Sequence, residues 1–167
     1  MMPITRRHAL AGLAGSPVLV RAALAQRAPL ELTISGGQFR PIALAIAPVM
    51  GPEPQAGEIG EIVTADLVNS GLFRAIPHEA HIQRFTALDE PPQLADWRVI
   101  NAEGLVVADV MAEPDGRLRL RFRLYDTATG EQLEGMQLLG DPSALRRLAH
   151  KMADAVYSRL TGETGYF

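Results

Sequence analysis

Cysteine is absent from the 167-residue chain. That excludes thiolate catalysis, cysteine-ligated zinc, iron–sulfur clusters and disulfide stapling. Aromatic residues make up only 5%, and none interleaves with basic residues as a base-stacking platform would need. Neither sign of charge dominates: 16 Lys+Arg against 19 Asp+Glu give a net charge of −3. Three arginines and no acid stand in the first 25 residues, so the remainder is acidic. An acidic body argues against nonspecific nucleic-acid or membrane-surface binding. No run after the N-terminal segment approaches the roughly 20 apolar residues of a membrane-spanning helix. What remains is 47% hydrophobic and 21% charged, the balance of a globular chain near the length of one domain.

The N-terminus reads MMPITRRHALAGLAGSPVLVRAALAQ. Arg6 and Arg7 form a cationic start, residues 9–20 are mildly apolar, and Ala23-Leu24-Ala25 is a small-x-small site. Residues 1–25 are therefore expected to be a secretory signal, cleaved before Gln26. An ordinary N-terminal helix is the alternative, which Gly12, Gly15 and Pro17 would weaken. Thr5-Arg6-Arg7-His8-Ala9-Leu10 resembles a twin-arginine export signal, although Ala9 replaces the usual bulky apolar residue and no lysine follows Leu10. The Sec route stays open. Either route exports the mature chain.

In the mature chain Leu30-Glu31-Leu32-Thr33-Ile34 alternates apolar and polar residues, the period of a half-buried strand. Residues 42–47 are apolar on both faces and predict a central strand. Three prolines and two glycines make 48–57 a loop. Residues 57–69 predict a helix with Ile59, Ile62, Val63 and Leu67 on one face, stopped by Ser70-Gly71. A short strand at 72–76 ends at Pro77. A helical turn at 79–84 and a short helix at 93–101, with Leu94 and Trp97 inward, complete the middle. Strands at 105–113, 117–125 and 131–139, joined by Pro-Asp-Gly and Thr-Gly turns, read as a meander. Asp141 and Pro142 open a final helix. Its stripe is Leu145, Leu148, Ala149, Met152, Ala153, Val156 and Leu160. The expected fold is an α/β sandwich, helices packed on a mixed sheet, formed by residues 36–167 as a single domain.

Few residues suggest chemistry. Arg117, Arg119, Arg121 and Arg123 alternate with apolar residues, which puts four guanidiniums on one sheet face. That pattern fits either a phosphate or RNA rail or a solvated face balanced by acids. The turn would pair Glu113 with Arg117 and Asp109 with Arg121, which favours the balanced face. His78 and His81 flank Glu79 and could ligate a metal, but the spacing is not HExxH, and an exposed helical turn is the simpler reading. His150 reads as exposed, and Asp89-Glu90 as loop solvation. No serine has a GxSxG context, and Gly36-Gly37 lacks the continuation of a phosphate-binding loop. No catalytic residue, cofactor site or metal site is expected.

Several segments together resemble the N-terminal domain of the TolB family of the Tol–Pal system. They are Leu30-Glu31-Leu32-Thr33-Ile34-Ser35-Gly36-Gly37 with the strand from Pro41; the helix end Asp66-Leu67-Val68-Asn69-Ser70-Gly71-Leu72-Phe73; Trp97; residues 105–110; Leu124-Tyr125-Asp126; and the tail Leu160-Thr161-Gly162-Glu163-Thr164-Gly165-Tyr166-Phe167. The resemblance covers residues 29–167. It implies a fold similar to anticodon-binding-like α/β domains, which does not imply RNA binding. It implies a non-catalytic, periplasmic interaction domain of the cell envelope serving outer-membrane integrity, cell division and protein transport. It also implies contact with the C-terminal domain of TolA through residues 26–35, with Leu30, Glu31, Leu32, Thr33, Ile34 and Ser35 as the contact residues. A free alternating strand can add to a partner's sheet edge; the same strand can equally pair at the edge of its own sheet. In the family a six-bladed propeller that binds Pal follows the tail. This sequence ends at Phe167, where that propeller would begin, so Pal binding is not carried over. The alternative reading is an exported binding module with a nucleotide or RNA ligand on the arginine strand.

Overall fold

The computed structural model describes residues 40–167. The expected signal (Arg6, Arg7, Ala23 and Ala25) and the expected partner strand at 26–35 lie outside the described residues.

Strand β1 (Ile42–Ile46) is buried along its whole length, as a run apolar on both faces requires. It lies between β2 (Phe73–Ala75) and β3 (Gly104–Ala112) and is parallel to both. Strand β4 (Leu118–Asp126) and strand β5 (Gln132–Gly140) continue from β3 as an antiparallel meander. Among the described residues the sheet is mixed, five-stranded and ordered β2-β1-β3-β4-β5. Gly116, at φ +84°, closes the first hairpin, and Glu113 N–H donates to Arg117 O at 2.8 Å. That turn sets the register which places Asp109 opposite Arg121.

Helix α1 (Gln55–Asn69) and helix α3 (Leu145–Thr161) lie side by side on one sheet face. The α1 residues Ile59, Ile62, Val63 and Leu67 meet the α3 stripe in one core, which also takes Leu120, Phe122 and Leu124 from β4. All seven expected stripe residues of α3 are buried, and Tyr157 joins them. The loop before α1 is shorter than the sequence suggests. Pro52 O and Pro54 O accept from Ala56 N–H (3.1 Å) and Glu58 N–H (3.0 Å). Glu53 Oε2 accepts from Gly57 N–H at 3.1 Å. The helix thus starts at Gln55, because prolines suit a first turn whose N–H groups need no helical partner. Ahead of α3, Asp141 Oδ1 accepts from Ser143 N–H at 2.9 Å. It caps a 3-10 turn, Pro142–Ala144, that leads into the helix.

A smaller core lies on the opposite face, where helix α2 (Leu94–Val99) packs Trp97 against Ile76, Leu88, Leu105 and Val107. Before α2, the expected helical turn shrinks to a 3-10 turn, His78–Ala80. Residues 81–93 are irregular yet tied to one buried side chain. Gln83 Oε1 accepts from Gln93 N–H (2.7 Å) and Trp97 Nε1–H (3.2 Å), and Gln83 Nε2 donates to Pro91 O (3.2 Å). A buried amide that satisfies both its donors and acceptors can fix a loop that has no ladder of its own.

Candidate docking surface

The arginine strand is occupied by acids. Arg121 Nε and Nη2 grip Asp109 at 3.0 and 2.5 Å. Arg119 Nε lies 2.8 Å from Glu113 Oε1, and Arg117 Nε lies 2.7 Å from Asp115 Oδ2. Arg123 meets Asp89 from the loop before α2. The balanced face is thus the arrangement present, with two changes from the expected partners. Glu113 pairs diagonally with Arg119, and Arg117 takes the acid of its own turn. Asp89 and Glu90 do more than solvate a loop. Glu90 Oε2 accepts from Thr86 N–H at 3.0 Å. That bond and the Gln83 amide hold the Glu90 carboxyl below the usual carboxylate range.

Histidines depart further from expectation. His81 is 6% exposed, with its ring edge-on to Trp97 at 5.0 Å between centroids. The expected exposed turn is wrong for this residue, because the chain bends inward after Ala80 to cover Trp97. His78 Nε2 lies 3.1 Å from Ile46 O, and His81 Nε2 lies 3.2 Å from Ile76 O. A carbonyl only accepts, so Nε2 is the donor in both contacts. Burial, and then the neighbouring His78, hold the His81 imidazole below the ordinary histidine range. Among the described residues no three His, Cys, Asp or Glu side chains are grouped to hold a metal ion. His150, expected to be exposed, is half-buried and meets Asp66 Oδ2 at 2.7 Å across the α1–α3 contact.

The two flanks of α1 differ. One meets α3, through His150–Asp66 and a longer Arg146–Glu58 contact of 3.8 Å. The other borders an open groove of about 800 Å³, within the usual size range of ligand sites. Gly60, Thr64, Ala65 and Val68 form its helical wall, and Ala75 and Pro77 face them from the end of β2. Glu53, Glu61 and Glu79 line it, and among the described residues no lysine or arginine does. The sequence carries a faint sign of this surface. Gly57, Gly60 and Thr64 recur at helical spacing away from the apolar stripe, which a search for catalytic side chains passes over.

The tail returns to the fold. Gly165 N–H donates to Ser158 Oγ and Phe167 N–H to Asp154 Oδ1, each at 3.0 Å. Tyr166 and Phe167 pack edge-on against Tyr157, which in turn meets Phe73 of β2. No helix among the described residues is long and apolar enough to cross a membrane.

Residues 30–133 match the TolB amino-terminal domain. A Tol-Pal system protein TolB from Dinoroseobacter shibae is 45% identical over 83% of this chain and 32% of its own length. One from Cereibacter sphaeroides is 42% identical over 99% of this chain and 39% of its own length. The chain thus spans about a third of the length of these curated relatives. Among solved structures, TolB from Acinetobacter baumannii superposes with a TM-score of 0.65 at 25% identity, over 75% of this chain and 30% of that one. The hypothetical protein CT253 from Chlamydia trachomatis shares the fold alone, with a TM-score of 0.55 at 14% identity over 74% of this chain and all of its own. With the mixed five-stranded sheet, the paired helices and this match in hand, the chain belongs to the TolB amino-terminal domain family.

Proposed function

We propose that the chain is a non-catalytic interaction domain of the Tol–Pal envelope system. It works in the periplasm after export and serves outer-membrane integrity and constriction at division. Its contact is the C-terminal domain of TolA, reached through residues 26–35. The observation that carries this reading is the 45% identity with a Tol-Pal TolB over 83% of the chain. The alternation of Leu30, Leu32 and Ile34 supports strand addition, in which backbone bonds supply affinity and the apolar face supplies register. The acid partners of Arg117, Arg119, Arg121 and Arg123 weigh against the alternative of a nucleotide or RNA ligand on that strand.

Titration against the C-terminal domain of TolA tests the reading. Thr33→Pro removes one ladder donor and restricts the residue before it. It should cost most of the binding, because so short a ladder has few bonds to lose. Thr33→Ala keeps the donor and should bind nearly as the parent does. A circular-dichroism melt should be unchanged in both. If Thr33→Pro binds like the parent, strand addition by this segment is wrong; if it unfolds the domain, the segment belongs to the chain's own sheet.

A further inference from the structure

Among the described residues β2 is the outermost strand on the side of the sheet where α1 packs. Ile42 N–H donates to Leu72 O, and Ile76 N–H donates to Leu44 O. Backbone groups alternate sides along a strand, so Leu72, Arg74 and Ile76 face β1. Phe73 and Ala75 therefore turn their N–H and C=O groups outward, and no strand among the described residues pairs with them. The opposite margin of the sheet is guarded. On β5, Glu134 Oε1 accepts from Gly135 N–H at 2.9 Å and Arg159 Nε donates to Leu133 O at 2.7 Å. Side chains that satisfy edge groups in this way blunt pairing with another chain. Among the described residues the β2 margin has no such guard, and the groove opens there, between Ala75 and the Gly60–Thr64–Val68 flank of α1.

Three features define what fits. The free edge selects an extended backbone. The small and apolar flank of α1 accepts every second side chain of that strand. The carboxylates of Glu53, Glu61 and Glu79, with no lysine or arginine among the described lining residues, select positive charge. Residues 30–34 of this chain carry Glu31 and no cation, so they would bring like charge to the rim. We infer that this groove receives an extended, cationic segment of a partner protein. The segment adds as a strand to the outer edge of β2, lays its apolar side chains on α1, and turns lysine or arginine toward the rim. This inference does not depend on the TolA reading.

The probe is a capped, fluorescein-labelled heptapeptide alternating Lys and Val, with a Glu–Val heptapeptide as its counterpart. Both are titrated into the full chain by fluorescence anisotropy, with amide shifts followed by NMR. The Lys–Val peptide should bind and move the Phe73 and Ala75 amides most, and the Glu–Val peptide should not bind. The Glu61→Lys/Glu79→Lys variant should bind the Lys–Val peptide about tenfold more weakly or worse, with an unchanged melt because both residues are exposed. Equal binding of the two peptides, shifts centred on β5, or full affinity in the double variant would each overturn the proposal. Binding that appears only in Leu30→Asp/Leu32→Asp/Ile34→Asp would also overturn it, by assigning the groove to the chain's own N-terminal segment.

Discussion

Replacing Arg121 by Met separates an arginine ladder that holds the sheet from one that awaits a ligand. Arg121 and Asp109 stand opposite each other on β4 and β3 and make two bonds. Their side chains are 29% and 10% exposed. Breaking a fully buried pair costs about 3–5 kcal/mol, and an exposed pair contributes about 0–1 kcal/mol. With one partner nearly buried and the other partly wet, Arg121→Met should cost about 2 kcal/mol. Most of that cost comes from leaving the Asp109 carboxylate buried without its donor. In a domain of this size the melting temperature should fall by roughly 6–10 °C. Asp109→Ala should cost less, because the released guanidinium can swing into water. The double variant should then show a coupling energy of about 1–1.5 kcal/mol in a urea double-mutant cycle. Arg117→Met is the control: Arg117 and Asp115 are each about half exposed, so no measurable change is expected. RNA titrated at low salt should behave identically with all variants. A coupling energy indistinguishable from zero, together with a polyanion affinity that falls with each arginine removed, would refute the structural role.

Gly51→Ala should destabilise the domain by about 2–4 kcal/mol in urea unfolding. Gly51 sits at φ +143°, and an added Cβ would lie 2.3 Å from Val110 O; a change below about 0.5 kcal/mol would show that the segment gives way freely. His81 makes stability depend on pH. Its folded value lies below the unfolded one, so the unfolded chain takes up a proton first. Stability is therefore fullest above the unfolded value of about 6.5 and declines as pH falls through it. His78, Glu79 and Arg84 act on the same ring, so the diagnostic is a difference: melts of His81→Phe between pH 7.5 and 5.5 should decline less than those of the parent. Parallel declines would place the titrating group elsewhere.

Much of this fold is legible because its signals are local. The Pro-Asp-Gly turn fixes a register, and the register alone places Asp109 opposite Arg121. The α3 stripe follows from helical spacing, and the burial of β1 follows from its lack of polar residues. What escapes the sequence is held by contacts between distant residues. His150 meets Asp66 84 positions away, and Arg123 meets Asp89 34 positions away. No periodic pattern announces either pair. The segment at 81–93 is fixed by the Gln83 amide rather than by propensity, so it reads as loop and yet buries His81. The groove is hidden for another reason: it is built from backbone edges and small side chains, which carry little chemical signature.

The position of β1 has a kinetic consequence. Strands β3, β4 and β5 and helix α3 follow one another along the chain and join through short turns, so their contacts close over small loops. Strand β1 must instead pair with β3 across about 60 residues and with β2 across about 30. Loop closure costs more as loops lengthen, and contacts of high sequence separation form slowly. The meander with α3 can thus assemble as a local unit, and β1 enters afterwards as the strand that closes the sheet. Substitutions along β1 will then act chiefly on how fast the folded domain opens, and those in the β3–β4 hairpin on how fast it forms.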